Sequence, residues 1–141
     1  MPATRAGPRA SGTVRRVIAA DVVRIARENE HFRREVATAE RSQVVVMTIP
    51  PGGEIGEEVH EGIDQILLFV EGECDALVGE ETRRVGADEL VLVPGGTRHN
   101  FVNAGDGPLR LVTVYTPPEH PAGTVHRTKA EADAAEAEHG H

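Results

Sequence analysis

Two short blocks, residues 52–72 and 94–103, constrain what this chain can fold into more than any other part of it. Apolar runs broken by glycine and by acidic turns lie between and within them, and this pattern is typical of antiparallel strands. A strand places residues i and i+2 on one face, so Glu58 and His60 are expected to project together. His99 adds a second imidazole on a later strand. One carboxylate and two imidazoles predict a divalent metal site.

The spacing of the first block resembles the first motif of the cupin superfamily of small β-barrels. In that motif a glycine precedes His-x-His by five residues, a Glu follows, and a second glycine ends the motif. The residues of this chain at those positions are Gly52, Glu58, His60, Gln65 and Gly72. Glu58 and Gln65 therefore stand where the family has its first His and its Glu.

The second block resembles the second cupin motif, which contains Pro-x-Gly, then His, then Asn. Pro94, Gly96, His99 and Asn103 match it position for position, while the opening glycine of the motif falls on Asp88. The glycines and the proline set the turns, and a pair of motifs at matched spacing is far more specific than either alone.

The resemblance implies an all-β fold: a single antiparallel cupin β-barrel of the small type-2 class, also described as a double-stranded β-helix or jelly roll, with a short C-terminal helix. It also implies a divalent transition metal, which can be iron, manganese, nickel, copper or zinc. The implied metal ligands are Glu58, His60, Gln65 and His99. Two imidazoles and one carboxylate leave coordination positions open on a six-coordinate ion, and Gln65 can add its amide oxygen or hold a bound water or substrate.

Composition divides the chain into three predicted parts. Residues 1–12 have almost nothing to bury and are expected to be disordered. Residues 13–118 are predicted to form the barrel, and residues 119–141 an extended tail. In that tail Thr128 and Glu131 have capping-box spacing, which predicts a helix to about Glu136.

Apolar runs and turn residues predict the strands. They are residues 14–18 as an entering strand, then 43–49, 54–60, 65–71, 73–78, 81–85, a buried 89–93, 97–102 and 109–116. Residues 21–39 are compatible with a short helix whose face holds Val22 and Ile25. They are equally compatible with an edge strand over 32–37. The resemblance favours the strand.

Charge and cysteine content restrict partners and location. The net charge is −8 with Lys129 as the single lysine, which argues against nucleic acid. Cys74 is the single cysteine and cannot form an internal disulfide, and no apolar run is long enough to span a membrane. We therefore expect a cytoplasmic protein. Cupin relatives commonly pair through sheet edges, so we also expect a homodimer, with residues 32–37 and the tail covering the partner.

Other polar residues are weaker candidates for a site. Tyr115 and Arg98 can serve a substrate, but alternation puts Arg98 on the face opposite His99, which favours the surface. The histidines outside the motifs are expected at the surface or in the tail; these are His31, His120, His126, His139 and His141.

Two functions from different classes follow. The first is a metal-dependent enzyme that acts on a small polar or anionic molecule by oxygenation, isomerisation or lyase chemistry. The second is a metal-binding or small-ligand-binding cupin without catalysis. Sugar-phosphate isomerisation is less favoured, because a phosphate site requires inward Lys or Arg and the motif strands offer none.

Overall fold

A computed structural model describes residues 12–138 of the chain. The expectations for residues 1–11, and for His139 and His141, lie outside the described residues. Within them the chain forms nine strands and two helices, and all the paired strands are antiparallel. In order these are α1 (Val22–Glu28), β1 (Arg33–Thr38), β2 (Gln43–Ile49), β3 (Asp64–Glu71), β4 (Glu73–Val78), β5 (Glu81–Gly86), β6 (Leu90–Val93), β7 (His99–Asn103), β8 (Leu109–Thr116), β9 (Val125–His126) and α2 (Lys129–Glu138).

The strands form two sheets that enclose the main core. The larger sheet has the order β6-β3-β8-β2-β1-β9, and the smaller has the order β5-β4-β7. Phe69 from the larger sheet and Phe101 from the smaller lie with ring centroids 5.8 Å apart, both fully buried. The predicted jelly-roll fold with a short C-terminal helix is confirmed.

Residues 21–39 contain both of the structures that their sequence allows, one after the other. The side chain of Asp21 accepts a hydrogen bond from the backbone N–H of Arg24 and caps α1. The apolar side of α1, with Ala26 fully buried, packs on the outer face of the larger sheet against Val46 and Val112. Strand β1 then begins at Arg33, so helix is not confined to the C-terminal tail.

Three strand predictions need correction. Residues 14–18 form no strand, although the N–H of Val14 bonds to the carbonyl of Thr38. Residues 54–60 are not a continuous strand, because Gly56, with φ +116°, separates isolated bridges at residues 54 and 58. Residues 89–93 are not fully buried. Strand β6 lies at the edge of the larger sheet, where Leu90 and Leu92 are 58% and 56% exposed.

The segment after Pro118 packs onto the sheets. Strand β9 pairs with β1, so β1 is not the sheet edge that its sequence suggested. The Thr128 hydroxyl accepts the N–H of Glu131 at the start of α2, as the capping box predicts. Ala132 of this helix is buried in the main core. The domain boundaries themselves stay a prediction.

The turn at Gly72 admits glycine alone. Gly72 has φ +93°, a conformation that side-chain-bearing residues rarely adopt. A Cβ atom there would also lie 2.7 Å from the carbonyl oxygen of Pro108. The hairpin between β3 and β4 therefore requires the glycine that closes the first block.

No helix in the described part of the chain is both long enough and apolar enough to cross a membrane.

Candidate metal centre

The backbone places Glu58 directly opposite His99. The N–H of each residue donates to the carbonyl of the other, and both hydrogen bonds are 2.9 Å long. Two residues that exchange both hydrogen bonds lie side by side across an antiparallel pair. The two blocks of the sequence are joined at this point.

A second backbone contact fixes His60. Pro94, Gly95 and Gly96 form the turn before β7, and the N–H of Gly96 donates to the carbonyl of His60 at 2.9 Å. The N–H of Gly95 donates to the carboxylate of Asp64 at 2.9 Å. The turn of the second motif therefore holds the loop of the first motif in place.

These contacts bring one carboxylate and two imidazoles to a common point. Oε1 of Glu58 lies 3.1 Å from Nε2 of His60 and 3.9 Å from Nε2 of His99. One ligand atom from each of the three residues lies within 4.8 Å of the others. The structure thus brings together three of the four residues that the sequence predicted as ligands.

The environment of His99 leaves one ring nitrogen as a lone-pair donor. Its side chain is 2% exposed, and Nδ1 lies 2.9 Å from the carbonyl oxygen of Thr97. A carbonyl accepts only, so Nδ1 carries the proton and Nε2 has a free lone pair. Nε2 is buried with no hydrogen-bond partner. Metal-binding histidines have this arrangement, with the second ring nitrogen bonded to a carbonyl or carboxylate.

His60 is held from two sides. Its Nε2 faces Glu58, and its Nδ1 lies 3.6 Å from Oε2 of Glu119 in the C-terminal segment. The rings of His60 and His99 have centroids 5.2 Å apart. Glu119 therefore contacts the site from outside both sequence blocks.

Burial and charge separate the pKa values of the three groups. Burial opposes the charged form of His60, but its bond to Glu58 and the charges of Glu58 and Glu119 outweigh it, so the pKa of His60 is raised. Burial raises the pKa of Glu58, and the bond to His60 and nearby positive charges reverse this to a net lowering. Burial lowers the pKa of His99, which stays neutral.

The donor set suits a divalent transition metal. Two ligands about 2.1 Å from an ion and at right angles to each other lie about 3 Å apart, close to the separation of Glu58 and His60. The unpartnered Nε2 of His99 supplies a neutral nitrogen donor. Imidazole and carboxylate together accommodate several first-row metals, so the ligands alone do not select one.

Gln65, the fourth predicted ligand, is buried in β3 with 1% of its surface exposed. Its Nε2 donates to the hydroxyl of Thr113 at 3.0 Å, which orients the amide, and its Oε1 has no hydrogen-bond partner. The oxygen is the atom through which an amide binds a metal or accepts from a ligand. Coordination by Gln65 stays a prediction.

The other candidates divide between surface and interior. Arg98 is exposed and pairs with Glu57 at 3.2 Å, as strand alternation predicted. Tyr115 is buried, with its ring 6.0 Å from that of His60. His120 and His126 are half-buried, the former with its ring 5.1 Å from that of Tyr115.

Sequence reasoning missed two residues. Glu119 is the first residue of the segment predicted as an extended tail, and Arg33 lies in a segment whose structure the sequence left undecided. Arg33 is buried in β1. The alternation of Arg33, Glu35 and Ala37 in a strand was the available signal, since it aims Arg33 and Glu35 at one face.

Comparison with known proteins shows the family. The Cupin domain profile matches residues 45–115, so the chain belongs to the cupin domain family. It is 39% identical over 122 residues to protein YrkC of Bacillus subtilis, a match that covers 82% of this chain and 66% of YrkC. It is 31% identical over 102 residues to protein L612 of Acanthamoeba polyphaga mimivirus, covering 70% of this chain and 64% of that protein. The chain thus spans slightly less than two thirds of the length of these relatives.

A crystal structure is similar over nearly its full length. The Bacillus halodurans protein BH2720 superimposes with a TM-score of 0.85 at 37% sequence identity. The match covers 89% of this chain and 99% of that chain.

Proposed function

We propose that this cupin binds a divalent transition metal through Glu58, His60 and His99, and that it acts on a small polar or anionic molecule. The observation that carries the proposal is the unpartnered, buried Nε2 of His99 beside Glu58 and His60, because a buried nitrogen without a partner is costly unless a ligand satisfies it. A cytoplasmic location and a homodimer belong to the same proposal. The single buried Cys74 fits the former.

Glu58, His60 and His99 would each have a different role at such a metal centre. His99 supplies a neutral nitrogen whose direction is fixed by Thr97, and His60 supplies a second one once it has lost its proton. Glu58 supplies one negative charge. A metal held by these residues would supply Lewis-acid chemistry, which suits oxygenase, isomerase and lyase reactions. Buried Tyr115 and Gln65 contribute polar atoms to the same interior.

A cupin that binds a ligand without catalysis is the second candidate. The observation that favours it is the 3.1 Å contact between Glu58 and His60, which satisfies both groups without an ion. Metal content separates the proposed metal centre from a metal-free pocket, since the contact alone predicts a stable protein that takes up no metal. Turnover separates the enzyme from a cupin that binds metal without catalysis.

The test is elemental analysis of protein purified without a His tag, followed by metal titration of variants. Mutation of a residue that is only hydrogen-bonded to a metal ligand lowers metal affinity by roughly 10–100-fold. His99→Ala removes a ligand itself, so its metal affinity should fall by more than this. Glu58→Gln should also bind the metal weakly. Glu57→Gln is the matched control, because its side chain is 59% exposed and pairs with Arg98.

Full metal occupancy in His99→Ala would place the metal elsewhere and overturn the proposal. His31→Ala controls for the loss of an imidazole outside the site. Gln65→Ala should keep most of the metal and lose more activity than metal, if its amide orients a substrate or a water.

A further inference from the structure

Arg33 is an arginine inside the protein. It lies in β1, between Met47 of β2 and His126 of β9, and only 2% of its surface is exposed. It is among the largest fully buried side chains of the described residues. An arginine this buried is unusual unless it is paired.

The guanidinium of Arg33 lies within ion-pair distance of no carboxylate in the described part of the chain. Its Nη1 lies 3.2 Å from Nδ1 of His126, and its Cζ lies 5.3 Å from the ring centroid of Phe32. Its Nε is buried with no hydrogen-bond partner. None of the ion pairs found within residues 12–138 includes Arg33. A buried cation without a counter-ion costs free energy that burial alone does not return.

Arg33 faces the interior that holds the metal centre. Its cross-strand partner Met47 is fully buried in the main core together with Tyr115, whose ring lies 6.0 Å from that of His60. The contacts of the two sites also meet at one surface. Glu119, which faces His60, and His126, which contacts Arg33, line the same half-open groove of about 410 Å³.

A metal ion bound by Glu58 would take up the charge of that carboxylate and leave Arg33 with less compensation. Buried polar atoms without hydrogen-bond partners among the described residues then include Nε2 of His99, Oε1 of Gln65 and Nε of Arg33. The first is a metal ligand, the second an acceptor and the third a cationic donor. A ligand that accepts a hydrogen bond from the third atom and also balances the charge of Arg33 carries a negative charge.

The geometry points to a small organic acid as the ligand of this cupin, with its carboxylate bound by Arg33 and its other end at the Glu58–His60–His99 centre. This assignment rests on the proposed metal site and narrows its substrate class to carboxylates. The planar guanidinium presents paired N–H donors that match the two oxygens of a carboxylate, which the single ammonium of a lysine does not.

The experiment uses cobalt-loaded protein and a series of dicarboxylates from malonate to adipate, each compared with its half-amide. The half-amide keeps one carboxylate for the metal and replaces the other with a neutral group of the same shape. Calorimetry gives the affinities, and the visible absorption of cobalt reports binding at the metal. We expect the best dicarboxylate to bind about ten-fold more tightly than its half-amide, the difference that a charge-assisted hydrogen bond supplies.

Arg33→Met should bind the dicarboxylate and its half-amide with nearly equal affinity, so that the ratio of the two affinities is close to one, while metal content stays unchanged. Arg34→Met is the matched control, since Arg34 is the exposed neighbour on the same strand, and it should keep the ratio. If Arg33→Met does not fold, Arg33→Lys replaces it. It should retain a smaller preference for the diacid, because it keeps the charge and loses the paired donors.

The outcomes separate this inference from the proposed function. Protein that takes up no cobalt contradicts the proposed metal site, and the inference with it. Protein that holds cobalt but binds diacid and half-amide equally overturns the inference and leaves the metal site intact. A preference that survives in Arg33→Met, or is undiminished in Arg33→Lys, also overturns it.

Discussion

Glu119 lies 3.6 Å from His60, measured from Oε2 of the carboxylate to Nδ1 of the imidazole. The opposite nitrogen of the same ring faces Glu58. The C-terminal segment therefore supplies a carboxylate to the outer side of a predicted metal ligand. Carboxylates in this position orient the ring and increase its basicity.

Glu119→Gln should weaken metal binding by about ten-fold, because the amide keeps the size of the side chain and removes the charge that acts on His60. Metal titration with a chelator of known affinity measures this. Glu61→Gln is a suitable control, since Glu61 is an exposed carboxylate next to His60 in the chain. Equal affinities for both variants would show that Glu119 has no part in orienting His60.

The pair of Glu58 and His60 should give the metal-free protein a stability maximum in mildly acidic solution. The folded-state pKa of His60 is raised, so its contribution is present below its unfolded pKa of about 6.5 and is lost as pH rises through the folded value. The folded-state pKa of Glu58 is lowered, so its contribution is present above about pH 4.5 and is lost as pH falls through the folded value. The pair stabilises the protein most between these limits.

A bound metal should reverse the pH dependence of stability on the alkaline side of the stability maximum. His60 must lose its proton to bind an ion, so affinity should rise with pH until the raised pKa of His60 is passed. Thermal unfolding at several pH values, with and without zinc, measures both effects. The stabilisation by zinc should grow between about pH 6 and about pH 8 because binding releases a proton from His60, and Glu58→Gln should flatten the metal-free profile. A zinc effect independent of pH would exclude His60 as a ligand.

Asn103, the last residue of the second block, is predicted to serve stability rather than metal binding. Its side chain is buried, donates to the carbonyls of Ile49 and Gly107, and accepts the N–H of Gly105. Asn103→Ala leaves these groups unpaired and should lower the free energy of unfolding by about 2–3 kcal/mol. Urea denaturation measures the loss, with the exposed Asp106→Ala as control. Metal content per folded chain should not change.

The sequence was sufficient for the parts of this protein that depend on turns and on strand alternation. Gly72, Gly96 and Pro94 determine where strands stop and start, which is why the jelly roll and the meeting of the two blocks were predictable. Glu58 and His60 come together for a different reason from the one predicted. Their segment is no regular strand, and the backbone exchange between Glu58 and His99 places them.

Long-range contacts determine the position of Glu119 and which face of β1 is buried, so alternation alone did not identify Arg33 or Glu119 as residues near the site. Arg33 faces inward because β1 is enclosed between β2 and β9, and β9 comes from a tail whose two-residue strand has no sequence signal. Glu119 approaches His60 because the buried amide of Gln43 accepts the backbone N–H groups of Glu119 and His120. Neither pairing is encoded within a short window of the chain.

A homodimer remains a prediction, and the structure changes where its interface is expected. The tail already covers β1 through β9, which leaves β6 as the outer strand at the opposite edge of the larger sheet. Leu90 and Leu92 are exposed there, and exposed apolar edge strands tend to pair with other chains.

Changing both Leu90 and Leu92 to glutamate should convert a dimer to a monomer, as measured by light scattering across a range of concentrations. Val125→Glu is the matched comparison, because Val125 is 48% exposed on β9, within the tail that the sequence suggested as the interface. Dissociation by Val125→Glu alone would place the interface at β1 and the tail. A wild-type protein at monomer mass throughout would contradict dimerisation at either edge.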